Sequence, residues 1–168
     1  MDDYLSAIDD VAKESYVDAS RLGAVGASYG GYSVFMLAGI HNNRFKTFIS
    51  HDGIFDTKSM YGTTEELWFV NFDYGGAYWD KNQAAQKTYS AQNPINHVAK
   101  WNTPIMIVQG GMDFRVPIEQ GLQAFQAAQL RGIKSKLLYL PGENHWVSTA
   151  QNGLVWQREF FKWLKETL

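Results

Sequence analysis

Leu22-Gly23-Ala24-Val25-Gly26-Ala27-Ser28-Tyr29-Gly30-Gly31 decides the reading of this chain, because an apolar run ends in a serine set between glycines. The pattern is that of a nucleophile elbow, a strand-to-helix turn sharp enough to push the serine hydroxyl out of the fold. Glycines flank the serine because a side chain at Gly26 or Gly30 is expected to collide with the neighbouring strand and helix, and because glycine tolerates a strained backbone. Ser28 is the candidate nucleophile. Taken alone, the pentapeptide also describes an ordinary glycine-rich turn.

An acid and a base follow in chain order. Pro104-Ile105-Met106-Ile107-Val108 reads as a buried parallel strand running into Gln109-Gly110-Gly111-Met112-Asp113, which sets a carboxylate just past the strand end. Lys136-Leu137-Leu138-Tyr139-Leu140 is another apolar run, and the loop after it, Pro141-Gly142-Glu143-Asn144-His145-Trp146, carries a histidine. Ligands of open α/β sheets bind beyond the carboxyl ends of the strands, so residues that each follow a different strand can converge there. Separately, Asp113 could shape a turn and His145 could be an ordinary loop histidine. Together with Ser28 they form the order Ser, Asp, His expected of α/β-hydrolases. A serine hydroxyl is a poor nucleophile, so an imidazole must take its proton during attack and return it to the leaving group. His145 is the candidate base and Asp113 the acid that fixes its tautomer. The backbone N–H of Tyr29, the residue after the nucleophile, is the candidate oxyanion donor.

The rest of the chain alternates helix and strand. Residues 2–14 have helical spacing, Tyr32–Ile40 follows the elbow as a helix, and Phe45–Ile49 reads as a strand. Gln120–Leu130 reads as a helix closed by Gly132, and Leu154–Leu164 as a last helix with Trp156, Phe160 and Trp163 on its packing faces. The expected fold is α/β, a mostly parallel sheet of about four strands flanked by helices in a single domain over 1–168. A complete α/β-hydrolase sheet has more strands than this. Leu22–Val25 is therefore expected to be an open apolar edge, and self-association of the chain to follow from it.

Gly26-Ala27-Ser28-Tyr29-Gly30-Gly31-Tyr32, Asp113-Phe114-Arg115-Val116-Pro117 and Glu143-Asn144-His145-Trp146 together resemble the catalytic domain of the prolyl oligopeptidase family of serine peptidases. The spacing is similar as well: Asp113 lies 85 positions after Ser28 (113 minus 28) and His145 lies 32 after Asp113 (145 minus 113). Phe48 through Trp79, with His51-Asp52-Gly53-Ile54-Phe55 and Tyr61-Gly62-Thr63-Thr64-Glu65-Glu66, is most similar to the branch of bacterial dipeptidyl peptidases 5 and acylaminoacyl peptidases. The resemblance implies hydrolysis of small peptides through an acyl-enzyme. In that family, upstream sequence carries the first half of the sheet, a second oxyanion donor and a β-propeller. The chain accordingly reads as a carboxyl-terminal catalytic part, with an intact short protein as the alternative. The resemblance implies a periplasmic or secreted whole protein, with a cytoplasmic one as the alternative, and a role for Arg115 at the substrate carbonyl or in the structure.

Between the second strand and the third, Phe55–Trp79 is rich in aromatic residues, and this connection lies over the active-site face of a hydrolase. Tyr61 and Trp68 are the candidates for an apolar substrate pocket, against the alternative that such rings pack in the core. Glu65 and Glu66 read as a solvated helix face. A formal net charge of -2 and a pI near 6.1 give no reason to expect nucleic acid or an anionic membrane as partner. No apolar stretch reaches the roughly 18 residues of a membrane span. With no cysteine, thiol catalysis and thiolate metal sites are excluded, and the four histidines lack metal-ligand spacing. No dinucleotide fingerprint or P-loop is present, so no cofactor is implied. On the residues alone, an esterase using the same triad and a non-catalytic assembly module both stay open.

Overall fold

In the computed structural model, which describes residues 1–168, the elements run α1 (Asp2–Val11), β1 (Gly23–Ala27), α2 (Tyr29–Ile40), β2 (Thr47–His51), α3 (Thr57–Thr63), α4 (Leu67–Asp73), α5 (Gln83–Tyr89), a 3₁₀ segment (Pro94–Lys100), β3 (Ile105–Gly110), α6 (Ile118–Leu130), β4 (Ser135–Leu140) and α7 (Ala150–Thr167). The four strands form one sheet in the order β1-β2-β3-β4, and every neighbouring pair is parallel. Parallel strands need helical crossovers, which cover both faces and force the central strands to be apolar throughout. β3 accordingly buries all six of its residues, whereas β1 and β4 at the two edges are only partly buried.

Side-chain alternation in β2 and β3 splits the core in two. Phe48, Ile105 and Ile107 face α2 and α6, where they meet Phe35, Leu37, Ala124 and the fully buried Trp101. Ile49, Met106 and Val108 point to the opposite face and are covered by Trp163 of α7, with Trp156 and Phe160 packed alongside. Trp163 sits there because its indole N–H donates to Thr47 Oγ1 at 2.8 Å, satisfying a buried polar group on each side. α2 is apolar around its whole circumference, as a helix enclosed by the sheet, the 3₁₀ segment and α1 must be.

Three differences from the sequence reading have physical causes. β2 begins at Thr47 rather than Phe45, because the Phe45 amide donates to His41 Nδ1 at 3.1 Å and is unavailable to a ladder. α2 begins at Tyr29, directly after the nucleophile position. The connection from β2 to β3 carries three short helices, α3, α4 and α5, with their own small core of Ile54, Met60, Val70, Tyr74, Ala85, Tyr89 and Val116. Asp56 and Asn82 start two of them by accepting from the Lys58 and Ala85 amides. No helix is long and apolar enough to cross a membrane.

Candidate active site

Ser28 sits at the carboxyl end of β1 with φ 57 and ψ -118, a conformation a non-glycine residue holds only under local constraint. The constraint comes from both sides: the Ser28 amide donates to the His51 carbonyl at 2.9 Å, and the Ser28 carbonyl accepts from Tyr32 at 3.0 Å. A Cβ at Gly26 would overlap the Gly30 backbone, so the first glycine of the elbow is required. The expectation for Gly30 is corrected, because a Cβ there meets nothing within 4 Å. Gly31 is the second tight position instead, where a Cβ would lie 2.6 Å from Gly53 Cα and 3.0 Å from the His51 carbonyl oxygen.

Asp113 follows β3 and is buried, and His145 reaches it from the loop after β4, with Nδ1 2.7 Å from Asp113 Oδ2. The other carboxylate oxygen, Oδ1, accepts from the Arg115 and Val116 amides, each at 2.9 Å. The acid is thus held by its own turn and presents one oxygen to the imidazole. In this structure Ser28 Oγ makes no hydrogen bond to His145, whose Nδ1 is engaged by Asp113. Tyr29 heads α2, so its N–H has no carbonyl one turn back to donate to within the helix.

The His145 loop is fixed by a residue that the sequence reading passed over. Glu143 is buried and accepts from the Ser148 amide at 2.8 Å, the Thr149 amide at 3.2 Å and Asn152 Nδ2 at 2.6 Å, so it caps the start of α7. Hydrogen bonds from Thr149, Asn152 and Ser148 hold its carboxyl well below the usual carboxylate range, at about 2. The Glu143 carbonyl also accepts from the Met112 amide at 2.8 Å, which ties the base loop to the acid loop. Glu143 precedes the amides it accepts from by five and six residues, the reverse of the Ser/Thr-x-x-Glu order of a capping box, so no local pattern announces this cap.

Two clefts adjoin these residues. One, of about 400 Å³, is lined by Asp113, His145, Arg115, Glu65, Phe114 and Trp146 among others. The other, of about 200 Å³, is lined by Tyr29, Tyr32, Ile54, Thr57, Asp73 and Tyr74 among others. Burial pushes the Tyr32 hydroxyl up to about 12, and it donates to the Gln92 carbonyl at 2.8 Å, so Tyr32 is a neutral wall of that cleft. Burial raises Tyr74 further still.

Arg115 therefore borders the site, with its Nε 3.0 Å from Glu66 Oε1. Glu66 is partly buried in that pair, not part of a solvated helix face, and both glutamates lie in the link between α3 and α4. Neither cleft is lined by Tyr61 or Trp68. Tyr61 belongs to an aromatic cluster with Tyr78, Trp79 and Tyr89, at 5.7 to 6.3 Å between ring centres, and donates to Asn71 Oδ1 at 3.0 Å. Trp68 is 74% exposed and packs edge-on against Phe69.

Asp52, Asp113 and His145 each bring a ligand-capable atom within 4.8 Å of the others. Within this group Asp113 and His145 are bonded to each other and Asp113 Oδ1 takes two amides, while Asp52 Oδ2 has no aligned hydrogen bond.

The family model described as the prolyl oligopeptidase family matches residues 1–168. The chain belongs to the prolyl oligopeptidase family. Among relatives in that family, dipeptidyl-peptidase 5 of Porphyromonas gingivalis is 53% identical over 169 residues, covering 100% of this chain and 25% of its own length. Dipeptidyl-peptidase 5 of Schizosaccharomyces pombe is 38% identical over 151 residues, covering 89% of this chain and 22% of its own length. The chain thus spans about a quarter of the length of the curated relatives it matches. Among solved structures, the acylaminoacyl peptidase of Pyrococcus horikoshii superposes with a TM-score of 0.86 at 21% identity, over 99% of this chain and 27% of its own. Dipeptidyl peptidase 4 of Porphyromonas gingivalis gives 0.83 at 21% identity, over 99% and 22%. These two establish the α/β-hydrolase fold of this family member.

Proposed function

We propose that this chain carries the catalytic machinery of a serine peptidase that releases dipeptides from small peptides, with Ser28 as nucleophile, His145 as base and Asp113 as its orienting acid. The observation that carries the reading is the His145–Asp113 bond of 2.7 Å, formed beyond the carboxyl ends of the strands in a sheet whose first strand runs directly into Ser28 at φ 57. Resemblance to dipeptidyl-peptidase 5 at 53% identity supports the substrate class.

Ser28 Oγ attacks the scissile carbonyl carbon while its proton passes to His145 Nε2, and the carbonyl π electrons move onto oxygen. The Tyr29 N–H donates to that oxyanion, and Asp113 stabilises the imidazolium through Nδ1. Collapse breaks the C–N bond as His145 returns the proton to the leaving amine, leaving an ester on Ser28. Water then repeats the sequence, with His145 again taking and returning one proton. The cleft walled by Tyr29, Tyr32, Ile54 and Tyr74 is suited to the apolar part of a side chain beside the scissile bond.

A pair of substrates tests this in the full-length protein: a dipeptidyl anilide with a free amino terminus and its acetylated counterpart, beside a nitrophenyl ester. Release of anilide from the free form well above the blocked form is expected. Turnover of the ester alone would place the protein among esterases.

A further inference from the structure

Asp52 stands one residue beyond β2, is 1% exposed and has φ 45, in the left-handed region. Its Oδ1 accepts from the Gly110 amide at 2.9 Å, at the point where β3 gives way to the Asp113 loop. Its amide donates to the Val108 carbonyl at 2.9 Å, and the residue before it accepts from Ser28. Asp52 is thus tied by backbone to the elbow and by side chain to the acid loop. Its second oxygen, Oδ2, lies 3.1 Å from His51 Nε2, yet neither atom has an aligned hydrogen bond.

An uncharged residue would meet every structural demand of this position. Asparagine tolerates the left-handed conformation as readily as aspartate, and its carbonyl oxygen accepts from an amide equally well. What aspartate adds is a second carboxyl group, and a buried carboxyl with one oxygen unbonded is costly to keep. One atom of that carboxyl group, one of the Asp113 carboxylate and one ring nitrogen of His145 all lie within 4.8 Å of one another.

We propose that Asp52 is a second acid of this site, a positioning residue whose buried carboxylate supports the His145 imidazolium beside Asp113. The proposal rests on the triad reading. Charged and titratable groups facing Asp52 are His51 on its own strand, Asp113 after β3 and His145 after β4. The Glu143 carboxylate is spent on Ser148, Thr149 and Asn152 and does not serve this role. His51, leaning on Trp156 at 6.1 Å between ring centres, is a partial counter-charge when protonated. During attack the proton that leaves Ser28 makes His145 cationic, and a second carboxylate nearby lowers the barrier to that transfer.

The test is the pH dependence of kcat/KM in the full-length protein for wild type, Asp52→Asn, His51→Gln, Asp113→Asn and the Asp52→Asn/Asp113→Asn pair. Asp52→Asn keeps the Gly110 bond and removes only charge, so the acidic limb is expected to move to lower pH by about one unit or more. His51→Gln removes the counter-charge and keeps the carboxylate, so the limb is expected to move the other way, a result that stands even where Asp52→Asn fails to fold. In the double variant kcat is expected to fall at least about tenfold below Asp113→Asn alone. An unmoved acidic limb in both Asp52→Asn and His51→Gln, or a double variant equal to Asp113→Asn, overturns the proposal while leaving the triad intact. Near-wild-type activity of Asp113→Asn overturns the triad reading itself, and the proposal with it.

Discussion

Asp113→Asn separates the fold from the chemistry, because the two oxygens of Asp113 do different work. Oδ1 accepts from the Arg115 and Val116 amides, and an asparagine carbonyl oxygen can take over both bonds. The Nδ2 group of the asparagine must then face His145 Nδ1, where the aspartate oxygen lies at 2.7 Å. An amide nitrogen is a donor, so His145 has to accept at Nδ1 and carry its proton on Nε2. That is the wrong tautomer for taking a proton from Ser28. Loss of the orienting acid in a site of this kind costs about 10⁴ in kcat, or about 5.4 kcal/mol of barrier at roughly 1.36 kcal/mol per tenfold. Thermal melting is expected to stay close to wild type, since the turn keeps its two amide bonds. The assay is steady-state release from a dipeptidyl anilide by the full-length protein, with melting measured on the same sample. A kcat reduced less than tenfold, with the fold intact, would refute the assignment of Asp113 as the orienting acid.

Glu143→Gln is expected to loosen the base loop and to change the acid behaviour of the protein: the folded carboxyl is depressed to about 2 from 4.5, so its contribution is present above 4.5 and is lost as pH falls towards 2. Melting curves across that window should show a smaller decline for the variant than for wild type, and an identical decline would contradict the capping role. Gly31→Ala, whose Cβ would lie 2.6 Å from Gly53 Cα, is expected to destabilise by about 1–3 kcal/mol. Gly30→Ala, with open space in the same helix, is expected to be neutral or stabilising by up to about 1 kcal/mol in denaturant titrations. The edge of β1 is partly exposed, with Val25 at 53%, so the 168-residue chain is expected to self-associate at micromolar concentration. Sedimentation of a monodisperse monomer would contradict this.

The sharp turn at Ser28, the two buried strand runs and the loops that carry Asp113 and His145 past the strand ends are legible in the sequence because each is local: a glycine pattern, an apolar run, a polar residue just after it. The aromatic connection was less so. α3, α4 and α5 are seven residues each, too short to display a helical period, and are held by packing of Met60, Val70, Ala85 and Tyr89 against one another. Tyr61 and Trp68 were singled out by residue type, but which aromatic ring faces a cleft depends on how those helices dock. The walls came instead from Tyr29, Tyr32 and Tyr74, on α2 and at the end of α4. The Phe45 shift comes from a side chain four residues back, His41, whose ring nitrogen takes the amide, and the Asp52 carboxylate is engaged by Gly110, 58 positions away, which no local pattern announces. Gly30 shows the reverse case, a residue that fits the motif but carries no steric necessity here, while Gly31 beside it does.

Covalent labelling with a fluorophosphonate, followed by peptide mapping, tests the central claim most directly. The full-length protein is expected to carry one adduct, on the peptide containing Ser28, with labelling abolished by Ser28→Ala and strongly slowed by changes at His145. Undiminished labelling of Ser28→Ala, or an adduct mapped to another serine, would contradict the account.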